Sequence, residues 1–421
     1  MKKLCRIAAC FCSFLIPMTV HAADASLAAN AINSLGIELL AKTGKADANN
    51  LLSPYSIQNA LAMTYAGADG ETRDEMARVL FFPKDGAQLN DSFMVLNRAL
   101  DEIEQKTAGV AEASKKFGGP SEPIKLRVAN RLFGQQGFDF RKPFLEIVKN
   151  DYGAPLETLD FEKDPGKATK IINLWVEEQT LQRIRGLIPD GALTNLTKLV
   201  LVNAIYLKAP WAKEFNKQAT ESRIFQISGT GNEPVPTMGL TSRIGYAKRD
   251  GYTAVTLPYI GGDLQFLILL PDEADGLAAL EAKMDAGMLS SCAKLEARQV
   301  ALFLPKFKME PPTVKLNDQL QSLGMKTAFD IPPGSANFDL MAPRTPSQYL
   351  FIKYVFHKTF ISVDENGTEA AAATAVVMML RSAVMHEAEP VEVRVDHPFL
   401  FAIQHRPSGA CLFLGRVTDP R

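Results

Sequence analysis

The sequence predicts one large α+β domain built from several β-sheets. Segments with a helical spacing of apolar residues alternate with continuous apolar runs, which are typical of strands covered on both faces. The 421-residue chain shows no internal repeat, low-complexity linker or change in composition that would divide it into independent units. Its 47% hydrophobic and 22% charged residues match packed globular proteins. With 46 Lys+Arg and 47 Asp+Glu, the net charge of −1 excludes a protein built mainly to coat nucleic acid or an anionic membrane.

The N-terminal segment 1–22 is predicted to be a signal peptide. Three basic residues in the first six positions precede the apolar stretch 7–20, and a small-residue cleavage site follows before Ala23. Pro17 and the short apolar length argue against a membrane anchor. We therefore expect the mature domain, 23–421, to be exported to the periplasm or the extracellular space.

The cysteines do not form a disulfide framework. Three of the five precede Ala23, which leaves Cys292 and Cys411 in the mature chain. Cys411 opens an apolar run that is typical of a buried strand. We expect two unpaired buried thiols, and a single disulfide between them is the alternative.

Helices are predicted mainly in the first part of the chain. Residues 28–39 carry apolar side chains at helical spacing. Ser53 and Pro54 indicate the start of a second helix, because serine caps free amides and proline fits the first turn. Residues 69–72 indicate a third start, and the polar segment 106–123 is predicted to be a helix end followed by a loop.

Strand signals dominate the rest. One further helix is predicted over 169–184. The predicted strands are 126–133, 199–207, 264–270, 300–304 and 399–403.

Catalytic and cofactor motifs are missing from the sequence. It contains no nucleophile elbow, no zinc-protease or C-x-x-C motif and no glycine-rich phosphate loop. Beyond the signal it has only four histidines, His357, His386, His397 and His405. This is little material for a metal site or a Ser/His relay, so neither an enzyme nor a bound metal or cofactor is expected.

The most unusual segment is 363–384, in which small residues are followed by apolar ones. Propensity alone would make its first part a helix, but helical amphipathicity is missing. As a strand, it would place only small or apolar side chains on the face that begins with Thr368. Such a strand could enter the middle of a sheet without burying a charge. Gly367 supplies a flexible hinge before it, and Arg381-Ser382 behind it is a basic–small pair that trypsin-like proteases prefer.

These residues carry a resemblance to the serpin family. Residues 364–375, D-E-N-G-T-E-A-A-A-A-T-A, resemble the hinge of inhibitory serpins very closely. Seven motifs elsewhere stand in the family's order and extend the resemblance over nearly the whole mature chain. They are residues 50–57, 201–206 with Trp211, 257–259, 269–272, 304–307, 357–358 and 396–401.

The resemblance implies a single serpin-type domain with three β-sheets, about nine helices and an exposed reactive-centre loop at about 365–390. It implies an inhibitor that a serine protease attacks as a substrate. The protease is then held as a covalent acyl complex while the cleaved loop inserts into the central sheet. The expected state is a monomer with a liability to polymerise and with no nucleic-acid or membrane partner. A non-inhibitory serpin acting as a carrier or chaperone is the alternative, and the small hinge residues argue against it.

Individual residues carry over as implications of this resemblance. The usual offset of fourteen residues beyond Gly367 places the reactive bond between Arg381 and Ser382. The segment 382–398 is longer than in many relatives, so Met379, Leu380 and Met385 remain alternatives. The implied hinge residues are Glu365, Gly367, Thr368, Glu369, Ala370, Ala371, Ala372 and Ala373.

A second implied set controls opening of the central sheet. Ser53, Ser56, Asn203 and His357 match the polar cluster that gates the sheet. Trp211 and Lys306 match positions where the loop first enters it, and Glu365 is expected to pair with Lys306. The chain departs from the family at Ala209-Pro210, where a glycine usually precedes the tryptophan motif.

Overall fold

The computed structural model describes residues 24–83, 86–227, 231–345, 348–369 and 389–421. These residues form ten α-helices and seventeen β-strands. The helices are α1 (Ser26–Lys42), α2 (Pro54–Tyr65), α3 (Gly70–Val79), α4 (Gly86–Asp101), α5 (Ile103–Lys115), α6 (Lys142–Asn150), α7 (Pro165–Gln179), α8 (Leu277–Lys283), α9 (Ala286–Cys292) and α10 (Asn317–Ser322).

Thirteen of the seventeen strands lie beyond residue 220. The strands are β1 (Asn50–Leu52), β2 (Lys125–Gln135), β3 (Glu157–Leu159), β4 (Leu199–Pro210), β5 (Glu221–Ile227), β6 (Gly231–Arg249), β7 (Tyr252–Pro258), β8 (Leu264–Pro271), β9 (Ala297–Pro305), β10 (Phe307–Met309), β11 (Val314–Lys315), β12 (Tyr354–Thr359), β13 (Ile361–Asp364), β14 (Gly367–Thr368), β15 (Val391–Arg394), β16 (Phe399–His405) and β17 (Ala410–Val417).

The predicted helix starts are confirmed where a side chain caps the first turn. Ser53 Oγ accepts a hydrogen bond from Ser56 N at 3.2 Å, and Pro54 occupies the first position of α2. Asp69 caps α3 by accepting from Gly70 N. Every residue of α2 is buried, so this helix lies in the interior beneath the sheets.

The segment 106–123 is a helix end followed by a loop, as predicted. Helix α5 ends at Lys115, and its residues Ile103, Thr107 and Ala111 form a buried stripe at i, i+4 spacing, while residues 116–124 contain no helix or strand. One predicted boundary was wrong. The helix predicted over 169–184 ends at Gln179, because the backbone turns into the left-handed region immediately afterwards.

The strands form two hydrogen-bonded sheets in the described ranges. The nine-stranded sheet has the order β1-β17-β16-β8-β7-β6-β9-β15, with β5 paired to β6. The eight-stranded sheet has the order β10-β13-β14-β4-β12-β11, with β2 paired to β4 and β3 to β2. The α+β fold class is confirmed. Two of the three expected sheets are continuous here, because β6 pairs with β5 and β9 in one part and with β7 in another.

Two apolar cores cover the faces of the eight-stranded sheet. The larger core includes residues of α1, α2 and the nine-stranded sheet. The smaller one lies between the sheet and the layer formed by α7 and the connector 180–198, where Ile172, Val176 and Ile184 pack with Val202 and Phe356. Strand β4 is thus covered on both sides, as its continuous apolar sequence predicts.

Cys292 and Cys411 are both free and buried, which confirms that they are unpaired thiols. Burial raises the pKa of Cys411 to about 12, so this thiol is chemically inert. No helix in the described part of the chain is long and apolar enough to cross a membrane.

Candidate functional site

The short strand β14 marks where the chain begins to enter the eight-stranded sheet. Gly367 and Thr368 lie between β4 and β13, opposite Pro210 and Ala209 of β4. Nearer the start of β4, no described strand lies between β4 and β12, because the two pair directly and in parallel from Val200 to Ile205 of β4. The sheet is therefore parted for two residues at one end and closed along the rest.

Gly367 is required by the close approach of β4. A Cβ atom at this position would lie 2.2 Å from the carbonyl oxygen of Ala209 and 2.8 Å from Cα of Pro210. Because these are backbone atoms, they cannot rotate away. The departure at Ala209-Pro210 noted in the sequence thus sits directly opposite the hinge.

Thr368 points into the larger core. It is buried, and its Oγ1 lies 2.5 Å from the hydroxyl of Tyr259. The Tyr259 ring stacks on Trp211 with 4.6 Å between ring centroids. Tyr259 belongs to one of the sequence motifs, but no sequence pattern indicated that it contacts the hinge.

Trp211 holds the turn that precedes Gly367. Its indole Nε1 donates to the carbonyl oxygen of Asp364 at 2.8 Å, and its backbone N donates to Asn366 O at 3.0 Å. Asp364 Oδ1 also accepts from Asn366 N at 2.8 Å, which closes the turn. Trp211 therefore lies against the turn that precedes Gly367.

Glu365 forms the predicted pair with Lys306. Its carboxylate lies 2.9 Å from Lys306 Nζ and accepts a hydrogen bond of 2.7 Å from Thr220 Oγ1. Burial alone would raise the pKa of Glu365, but the hydrogen bonds from Lys306 and Thr220 outweigh it and hold the pKa below its ordinary value. The carboxylate is ionised at neutral pH and joins the turn to the residues that flank β5 and β9.

Glu369 is the last residue before the undescribed segment 370–388. Its carboxylate lies against the Arg183 guanidinium of the connector between α7 and β4. Sequence reasoning placed Glu369 in the hinge but missed Arg183, which stands in a connector with no motif. We call Asp364–Glu369, together with Arg183, Trp211, Thr220, Tyr259 and Lys306, the hinge cluster.

A second polar cluster lies where β4 and β12 meet, and the structure brings together all four residues predicted for it. His357 Nδ1 lies 2.5 Å from Asn203 Oδ1, and Ser53 N donates to His357 Nε2 at 3.1 Å. Because a backbone N–H can only donate, Nε2 must accept, and the proton therefore resides on Nδ1. Ser53 Oγ donates to Leu412 O at 2.6 Å.

Asn130 on β2 completes this cluster and was missed by sequence reasoning. Its Oδ1 accepts from Ser56 Oγ at 3.0 Å and from Asn203 Nδ2 at 3.2 Å, and its Nδ2 donates to Ser56 O at 3.1 Å. A single asparagine in a strand has no sequence signature. We call Ser53, Ser56, Asn130, Asn203 and His357 the sheet cluster.

The sheet cluster is buried and uncharged. Burial lowers the pKa of His357 to about 3, so the imidazole is neutral at physiological pH. The hydrogen bonds of the sheet cluster link β4, β12 and the start of α2. Strands β4 and β12 must separate if another strand is to pass between them.

Some predicted site residues lie outside the described residues. They are Ala370, Ala371, Ala372 and Ala373 of the hinge, Arg381 and Ser382 of the reactive bond, and the alternatives Met379, Leu380 and Met385. Within the described ranges no group of three acidic, histidine or cysteine side chains could hold a metal ion. The geometry of the two clusters suits the acceptance of a strand rather than bond-making chemistry.

Comparisons with known proteins agree with this geometry. A family model described as serpin (serine protease inhibitor) matches residues 30–420. An uncharacterized serpin-like protein of Thermococcus kodakarensis is 38% identical over 393 residues, which cover 93% of this chain and 85% of that protein. Leukocyte elastase inhibitor of Bos taurus is 36% identical and covers 88% of this chain and 93% of its own length. The solved structure of a highly specific serpin of the insect Tenebrio molitor superposes with a TM-score of 0.72 at 32% identity, covering 93% of this chain and 98% of its own.

Proposed function

The chain belongs to the serpin family, and on that premise we propose that it inhibits a trypsin-like serine protease as a suicide substrate. Serpins are in the main protease inhibitors and not catalytic enzymes, and the name of the bovine relative describes an inhibitor of a leukocyte elastase. The observation that best supports the proposal is strand β14, which places Thr368 between β4 and β13 at the parted end of a sheet that is otherwise closed.

The proposed reaction begins at Arg381. Its side chain fills an acidic primary pocket, and the protease serine Oγ attacks its carbonyl carbon. The bond to Ser382 N breaks, the new amine takes a proton, and Arg381 remains as an ester on the protease. Residues beyond Thr368 then pass between β4 and β12, and at about 3.3 Å per residue the inserted segment spans roughly 50 Å.

The composition of the loop supports insertion. Ala370 to Ala373 are small, and no charge or proline interrupts the sequence from Ala370 to Leu380. Thr368 shows what the inward face requires, because its small side chain is fully enclosed beneath the sheet. The other inward positions of an inserted strand would be Ala370, Ala372, Thr374, Val376 and Met378.

We place the mature protein outside the cytoplasm, in the periplasm or the extracellular space, where it would meet proteases from other sources. This part of the proposal rests on segment 1–22 alone. Cell fractionation, with N-terminal sequencing of the recovered protein, tests it: an N-terminus at Ala23 in the exported fraction is expected.

Mixing with trypsin tests the proposed mechanism. We expect an SDS-stable complex that carries the trypsin chain, together with a released C-terminal fragment that begins at Ser382. A fragment that begins at Leu380, Arg381 or His386 would move the reactive bond to Met379, Leu380 or Met385 and change the class of target. Complete cleavage with free active trypsin and no complex would reject inhibition and favour a carrier or chaperone.

Arg381→Leu serves as the matched variant. It keeps the hinge and both clusters, and it removes only the cation that trypsin recognises. The complex with trypsin should disappear while a chymotrypsin-like protease gains one.

A further inference from the structure

Glu369 directly follows the short strand β14 and has an unusual backbone conformation. Its backbone N still donates to Ser362 O at 2.6 Å, as a residue in the sheet would do. Its φ is 46°, in the left-handed region that non-glycine residues rarely adopt, whereas a strand needs φ near −120° to −140°. The hydrogen-bonded ladder therefore stops at this residue.

A charge contact holds Glu369 in this position. The residue is about nine-tenths buried, and its carboxylate is paired with Arg183. Burial raises the pKa of Glu369, and the Arg183 cation is the largest influence in the opposite direction. Tyr206 also lies nearby: its own burial, with an addition from the negative charge of Glu369, raises its pKa to about 12.

The backbone conformation and contacts of the connector between α7 and β4 position Arg183. Leu181 and Gln182 just before it have φ values of 51° and 65°, so the chain leaves α7 in a tight turn. Two residues later the carbonyl oxygen of Arg185 accepts from Lys358 Nζ at 2.9 Å, which ties the connector to β12. The guanidinium of Arg183 also lies 5.8 Å from the ring centroid of Phe360, between β12 and β13.

We propose that Arg183 and Glu369 are positioning residues that form a stop, which holds the hinge at Thr368 and keeps the uncleaved chain from inserting its own loop. Extending the ladder by one residue requires Glu369 to change from the left-handed to the extended conformation. A change of that size moves its side chain relative to the connector and breaks the contact with Arg183. The inference rests on one part of the proposed function, namely that the loop can enter the sheet.

Heating the uncleaved protein without any protease tests the stop. Self-insertion converts the monomer into a monomer with a higher unfolding temperature, and size-exclusion chromatography separates it from polymers. Arg183→Gln and Glu369→Gln should each speed this conversion about tenfold, which corresponds to about 1.4 kcal/mol on the barrier. Arg185→Gln is the matched control on the same connector, because its exposed guanidinium donates only to Gln182 O within the described part, and its rate should equal that of the wild type.

The exchanged pair Arg183→Glu with Glu369→Arg separates a charge contact from a general loosening of the connector. Restoration of a rate within about twofold of the wild type supports the stop. A wild-type rate in Arg183→Gln, a failure of the exchanged pair to restore the rate, or no conversion in any protein would each overturn it. Since no protease is present, a chain that does not inhibit trypsin but shows this charge dependence would reject the proposed function and keep the stop.

Discussion

Glu365 Oε2 and Lys306 Nζ lie 2.9 Å apart, and this contact joins the turn before the loop to the end of strand β9. Thr220, just before β5, donates to the same carboxylate. The turn that carries Gly367 is therefore fixed to the nine-stranded sheet on one side, while β14 pairs with the eight-stranded sheet on the other. Any movement of the hinge must first break or bend this contact.

Glu365→Lys should increase heat-induced polymerisation. The substitution replaces an attraction with a repulsion between two cations. Because Lys306 is about a third exposed, we expect the barrier to opening of the sheet to fall by about 1–2 kcal/mol, which speeds polymerisation roughly five- to thirtyfold. Light scattering during heating measures the rate. Glu310→Lys is the control: it reverses the charge of Glu310, the exposed partner of Lys308 in β10, and should polymerise at the wild-type rate. Equal rates in the two variants would show that the hinge contact does not restrain the sheet.

Thr368→Arg should turn an inhibitor into a substrate. The side chain of Thr368 is enclosed beside Tyr259, and an arginine there would place an unpaired charge in the core at a cost of several kcal/mol. Slower insertion lets the protease hydrolyse the acyl bond first. Complete cleavage, free active trypsin and no covalent complex are expected, whereas Thr368→Ser should still inhibit. Full stoichiometric inhibition by Thr368→Arg would exclude strand insertion as the mechanism.

Stability should fall in acid because of His357. Burial lowers its native pKa to about 3, whereas the unfolded side chain titrates near 6.5, so the unfolded state binds the proton first as the pH falls. The contribution of neutral His357 to the free energy of unfolding is fully present above about pH 6.5. Below that pH it is lost by about 1.4 kcal/mol for each pH unit. Urea unfolding at a series of pH values measures the slope.

His357→Gln should flatten this slope, whatever its effect on the stability at neutral pH. His405→Gln should reduce the pH dependence of the stability by a smaller amount, because burial lowers the pKa of His405 only to about 4. A slope in His357→Gln that equals the wild-type slope would contradict the assignment.

Asn130→Ala should destabilise the closed sheet. It removes the acceptor for Ser56 Oγ and Asn203 Nδ2, and leaving buried donors unpaired costs about 1–3 kcal/mol each. The free energy of unfolding in urea should fall by about 2 kcal/mol or more. Asn232→Ala, at an exposed position of β6, should change it by less than about 0.5 kcal/mol. An unchanged free energy of unfolding in Asn130→Ala would mean that water or a neighbouring group accepts the hydrogen bonds of Ser56 and Asn203.

The sequence by itself determined the fold class and the family. Buried strands such as β4 and β8 are readable because a strand covered on both faces must be apolar throughout. Short polar motifs such as Ser53-Pro54 are readable because the cap geometry needs those residue types at adjacent positions. Glu365 and Lys306 could be paired in advance because both stand in recognisable motifs.

Only the tertiary structure decided which side chains complete the two clusters. Asn130, Arg183 and Tyr259 come from three distant parts of the chain. Their contacts with the sheet cluster and the hinge arise only when β2, the α7–β4 connector and the residue after β7 come together in the folded chain. Helix α5 extends to Lys115 for the same reason, since its narrow apolar stripe gains stability only against its neighbours. Hydrogen bonds and ion pairs between segments depend on distances of a few ångströms, and local sequence patterns carry no information about such distances.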